Sequence, residues 1–170
     1  MRNVTKLFCI SILFLGFAAS AIGQVSATAT ATATIVTPIA IANGGNMNFG
    51  NVAVSAAAGT VVLAPAGTRT ATLGVTLPAS AGTVSAATFN VTGGNNATYA
   101  ITLPSTPTTV TSGGNTMTVT TFTSNPSGTG TLSGTGAQSI SVGATLNVGG
   151  AQAAGTYISG TPFTVTVNYN

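Results

Sequence analysis

The 170-residue chain contains no Asp, no Glu, no His and no Trp, and it has one cysteine. Three basic residues, Arg2, Lys6 and Arg69, carry all of its side-chain charge at neutral pH. General acid–base catalysis needs a group that exchanges a proton near neutrality. Metal sites need imidazole, thiolate or carboxylate. A serine or threonine nucleophile needs a base beside it. With those groups missing, the sequence points away from enzymes, cofactors and metals. Phosphate binding needs clustered Lys and Arg, so nucleic acid is excluded as well. What remains is a structural or adhesive protein.

Two of the three cations stand at the very start. Arg2 and Lys6 precede an apolar run at residues 7–19 (LFCISILFLGFAA), and small residues follow at Ala19, Ala21 and Gly23. This order predicts a secretory signal peptide over residues 1–23. The apolar run falls short of the ~20 residues that span a bilayer. Cleavage is expected after Gly23 or Ala21. Cys9 lies inside this leader, so the exported product has no disulfide to rely on. The expected route is through the periplasm to the cell surface or the medium. Arg69 is then the only charged side chain of the mature part, and the overall pI of 9.6 overstates its basicity. A surface so close to neutral offers little electrostatic resistance to self-association.

Thr, Val, Gly, Ser and Asn dominate the rest, all poor in helix interiors. Thr and Val suit a pleated sheet. Residues 24–36 (QVSATATATATIV) alternate with period two. Val25, Ala27, Ala29, Ala31, Ala33 and Ile35 fall on one side, with Ser26 and the threonines on the other. Further strands are predicted at residues 47–54, 60–63, 69–77, 87–92, 98–103, 116–123, 138–142, 145–148 and 157–169. Gly- and Asn-rich turn signals separate them, at residues 43–45, 93–96, 112–115, 125–128 and 149–150. Many short strands with regular turns predict an all-β fold, an antiparallel β-sandwich or barrel. In the last strand Phe163, Val165, Val167 and Tyr169 share one face. Arg69 is open to two readings, a carboxylate or sugar ligand and a solvated strand residue. The 24–36 segment also has two readings. It is either an ordinary first strand or a strand offered to the open sheet edge of another subunit.

Four stretches resemble a known family: residues 35–52 (IVTPIAIANGGNMNFGNV), 89–104 (FNVTGGNNATYAITLP), 140–150 (ISVGATLNVGG) and 155–169 (GTYISGTPFTVTVNY). Together they look like the secreted bacterial domain-of-unknown-function family 4402. That family is similar to spore coat protein U domains and to subunits of archaic chaperone–usher pili. The resemblance implies an immunoglobulin-like β-sandwich lacking one strand. The next subunit's N-terminal extension would fill the gap, and a periplasmic chaperone would fill it before export through an outer-membrane usher. Carried over, Val25 to Ile35 are the donor strand. Gly155, Phe163, Val165, Val167 and Tyr169 match the C-terminal strand that the chaperone pairs with. The chain departs from many pilins in lacking a disulfide and in presenting mostly alanine on the donor face.

The expected organisation is a signal peptide (1–23), an N-terminal strand (24–36) and a β-sandwich domain (37–170). The expected function is a non-enzymatic surface subunit, pilus-like or of a matrix or coat, assembling by β-strand addition. A monomeric adhesion module for glycans or surfaces is the alternative. Thr-x-Thr rows such as residues 28–32 prompt a third reading, ice binding.

Overall fold

The computed structural model describes residues 23–170, and the basic and apolar parts of the predicted leader lie outside them. The chain divides into two units, Met1–Thr34 and Ile35–Asn170. In the first, the described residues 23–34 are all exposed and belong to no strand. The second holds eleven strands, and no helix occurs among the described residues. They are β1 (Ala40–Gly45), β2 (Ala53–Leu63), β3 (Arg69–Thr76), β4 (Ala87–Thr92), β5 (Thr98–Thr102), β6 (Thr108–Ser112), β7 (Asn115–Asn125), β8 (Thr129–Thr131), β9 (Ala137–Val148), β10 (Ile158–Ser159) and β11 (Thr166–Tyr169). Every pairing is antiparallel. The all-β expectation therefore holds.

β9 is the spine. One edge pairs with β7 along most of its length. The other edge is shared, with β4 on its first half and β2 on its second. The large sheet runs β1-β4-β9-β7-β6-β10, with β2 on β9 and β3 on β2. β11, β5 and β8 form a separate small sheet. The sequence reading split β9 in two around Gly143. The glycine is instead where β4 gives way to β2. A Cβ at Gly143 would lie 2.2 Å from the carbonyl oxygen of Leu63, so only glycine lets the strands come this close.

Two clusters of buried residues follow from this branching. The first joins the two sheets through Val91 and Ile140 on one side and Tyr99, Ile101 and Val167 on the other. The second lies within the large sheet's inner face and includes Val61, Val119, Leu146 and Val148. Polar side chains are absent from the buried set of the described residues. With no Asp, Glu, His or Cys among the described residues, stability rests chiefly on apolar burial and backbone ladders.

Local differences from the sequence reading have physical causes. Residues 43–45 were expected to turn, yet they close β1 against β4 through a bulge between Asn43 and Gly45. β1, β6 and β8 are not among the expected strands, because β8 is a tripeptide and β1 and β6 are short and poor in large apolar residues. The expected strand 157–169 divides into β10 and β11. Most of 47–54 is irregular, held by the isolated bridge Asn48–Ser85 and by hydrogen bonds of Asn51 to the carbonyl oxygens of Ser80 and Ala81. In β7 a bulge between Thr120 and Thr123 places Thr121 at φ +50°. One inserted residue changes the parity, so Val119 and Phe122 both face the core although they are three apart.

Candidate functional site

Beside the second cluster the inner face of the large sheet is incompletely covered. A groove of about 970 Å³ opens there. Its floor is apolar, built from Val110, Met117, Val119, Leu146 and Val148, with Phe89 and Phe163 toward one end. The period-two alternation of β6, β7 and β9 turns these side chains inward. The irregular 47–54 stretch forms one wall, through Met47, Phe49 and Val52, and the 152–159 stretch forms another. The phenylalanines stack at that end: Phe122 and Phe163 lie 4.9 Å apart between ring centroids, and Phe89 and Phe163 meet edge-on at 6.3 Å. A second groove of about 620 Å³ shares Thr108, Pro162 and Phe163 with the first and continues it along residues 103–109.

Both walls are tied by side chains. Arg69 Nη1 donates to the carbonyl oxygens of Phe49 and, at 3.0 Å, Asn51. The one charged side chain of the described residues is therefore a brace for the groove wall, and neither sequence reading of Arg69 foresaw this. On the other side Tyr157 donates to the Ala153 carbonyl at 2.8 Å and accepts from Gln152 Nε2 at 2.8 Å. Gln152 also donates to the Thr116 carbonyl at 3.3 Å, fastening the loop to β7. Among the described residues no charged group lines the groove. Its chemistry is that of an apolar trough with backbone at its rim, suited to an extended peptide with apolar side chains.

The expected donor residues do not lie in a sheet. Val25, Ala27, Ala29, Ala31, Ala33 and Ile35 are all exposed, with Val25 at 96% and Ile35 at 98%. The alternating pattern is present, and residues 24–36 carry no ladder within the described residues of this chain. Among the C-terminal residues, Val165 and Val167 are buried, and Phe163 and Tyr169 are half-buried on the same side. Thr164, Thr166 and Asn168 are exposed, as the alternation predicts. Only 166–169 pairs, with β5; residues 162–165 belong to no strand, and of these Pro162 and Phe163 border both grooves and Thr164 the smaller one. Gly155 stands apart from that strand. It lies in the loop before β10, where a Cβ would meet Ser112 Oγ at 2.4 Å, and it lines the groove.

A family model, Domain of unknown function (DUF4402), matches residues 39–169. The chain belongs to the DUF4402 family. The match covers every strand of the DUF4402 domain and begins after the exposed 23–38 stretch. No curated protein and no solved structure matches the chain.

The opposite face of the same sheet is different. Thr72, Thr60, Asn147, Thr118 and Thr109 stand in register across β3, β2, β9, β7 and β6. Thr70, Val62, Thr145 and Thr120 make the next row. Thr60 and Thr72 share a hydrogen bond of 2.7 Å, and Asn147 Nδ2 donates to Thr120 Oγ1 at 3.0 Å and to Thr118. The sequence reading placed its threonine array at residues 28–32; the array in a sheet is this one.

Proposed function

We propose that this protein is a secreted, non-enzymatic surface subunit that assembles by β-strand addition. The domain is read as an immunoglobulin-like sandwich with one strand position open. The occupant of that position is the 24–36 segment of a second copy. One observation carries the reading: an apolar groove on the domain coexists with an exposed, alternating segment that belongs to no sheet. The unladdered residues Phe163 and Thr164 beside the grooves offer backbone donors and acceptors to an incoming strand. Val25 and Ile35 would bring the larger apolar surfaces and the four alanines smaller ones, at about 25 cal/mol per Å² buried. Before assembly a periplasmic chaperone would cover the same groove and deliver the subunit to an outer-membrane usher. Export would follow from the 1–23 leader.

The test compares the chain starting at Gln24 with one lacking residues 24–34, by negative-stain electron microscopy and light scattering. Filaments or SDS-resistant oligomers are expected only when the segment is present. Folded monomers from both would overturn the reading.

A second reading, ice binding, gains support from the two threonine rows. The backbone positions of the rows repeat at roughly 4.8 Å between strands and 6.8 Å along them, on a face without charge, with Asn147 and Val62 standing among the threonines. A thermal hysteresis assay decides it: no effect at millimolar protein removes it.

A further inference from the structure

The hydroxyl of Tyr169 is the only side-chain atom of the described residues whose hydrogen bonds join the C-terminal strand to the stretch before β1. It donates to the carbonyl oxygen of Thr37 at 2.8 Å and accepts the Gly94 amide hydrogen at 2.6 Å. Thr37 directly follows the exposed, alternating segment and directly precedes Pro38. A residue before proline is confined to extended conformations, and proline holds its own φ near −65°. The Thr37–Pro38 pair is thus a stiff elbow, and Tyr169 grips its carbonyl. From Ala40 onward β1 is anchored on β4, so the chain is free only upstream of the elbow.

The rest of the neighbourhood makes room for that hydroxyl. A Cβ at Gly93 would lie 2.3 Å from Tyr169 Oη, a separation that no side chain tolerates. At Gly94 the same construction gives 3.6 Å, an ordinary contact. The ring packs against the first core cluster, and β11 pairs Tyr169 with the fully buried Tyr99. The hydroxyl is therefore held by the core on its ring side and by two backbone groups on the other.

We infer that Tyr169 is a positioning residue for the N-terminal segment: its hydroxyl pins the Thr37 carbonyl and sets the direction in which residues 24–36 leave the domain. This rests on the strand-addition reading for its purpose, since a subunit that offers a strand to its neighbour must offer it at one angle. The pinning itself stands on the geometry alone.

The variant Tyr169→Phe removes the hydroxyl and keeps the ring in the core. In the chain from Gln24, backbone order parameters at Val36 and Thr37 are expected to fall from about 0.85 to below about 0.6, with β4 and β5 unchanged. Amide exchange at Gly94 should accelerate several-fold, to about tenfold, on losing its acceptor. Gly93→Ala, whose Cβ would displace the hydroxyl and also press on the buried Leu132 side chain at 2.9 Å, should loosen Val36 and Thr37 in the same way. Gly94→Ala should leave them ordered. Unchanged order at Val36 and Thr37 in Tyr169→Phe overturns the inference, and if that variant does not fold, Gly93→Ala decides by the same measurement. Where the native chain forms filaments, Tyr169→Phe should give filaments with a wider spread of subunit-to-subunit angles. Native chain that never assembles removes the strand-addition reading and leaves the order-parameter result to stand or fall by itself.

Discussion

β9 carries two surfaces whose difference is decided residue by residue. Leu146 faces inward, buried, at the floor of an open apolar groove. Asn147, its neighbour, faces outward into rows of threonine and is half-buried by them. The same backbone ladder supports both, so what differs is the solvent each face accepts. The inner face is apolar and under-covered, and under the strand-addition proposal it would gain by taking up another apolar strand. The outer face is hydroxylated and uncharged, crossed by the hydrogen bonds of Thr60 with Thr72 and of Asn147 with Thr118 and Thr120. Association should therefore depend on the inner face, and stability should fall off sharply from one face to the next.

The largest effect should come from placing a charge in the groove. Met117→Lys puts an ammonium group on its floor, and uptake of a donor strand should fall below detection by light scattering, because an unpaired charge would be buried. The matching outer-face change, Thr118→Lys, should leave oligomer formation intact. Equal loss from both would erase the contrast. Next in size, Leu146→Ala should lower unfolding free energy in urea by about 2–5 kcal/mol. Asn147→Ala, one residue on, removes hydrogen bonds of 3.0–3.3 Å and should cost about 0.5–1.5 kcal/mol. Thr145→Val should stay within about 0.5 kcal/mol, since Val62 already stands beside it in the same row.

The smallest effect should be that of pH. The described residues hold no carboxylate or imidazole side chain to titrate. Unfolding midpoints at pH 4.5 and 8.5 should coincide within error. At high pH one group matters. Burial raises the pKa of Tyr99 above the ordinary tyrosine value, and its hydroxyl donates to Gln138 Oε1 at 2.6 Å. The unfolded chain then loses its proton first. Tyr99 contributes its full stability below about pH 10 and loses it as pH rises through the folded pKa. Thermal melts from pH 9 upward should show this decline, and Tyr99→Phe should flatten it. A decline that persists in Tyr99→Phe would overturn this assignment.

Part of the site was legible beforehand. The inward set of the C-terminal strand, Phe163, Val165, Val167 and Tyr169, follows from alternation, and the burial pattern agrees with it. The groove did not follow, because its floor comes from β6, β7 and β9 and its wall from the irregular 47–54 stretch. A sequence signal for Arg69 as a brace existed only in its being the sole charge in that region. Nothing local says that its guanidinium reaches Phe49 and Asn51, about twenty residues away.

By itself the sequence determined the all-β class, the poverty of reactive groups and the sidedness of its clearest strands. These are local properties: composition and a period of two act within a few residues. The tertiary structure alone decided which strands become neighbours, where a bulge at Thr121 turns Phe122 inward, and that residues 24–36, the most regular strand pattern in the chain, form no ladder. A strand's hydrogen bonds belong to its partner, and the partner is supplied by the rest of the fold or by another molecule.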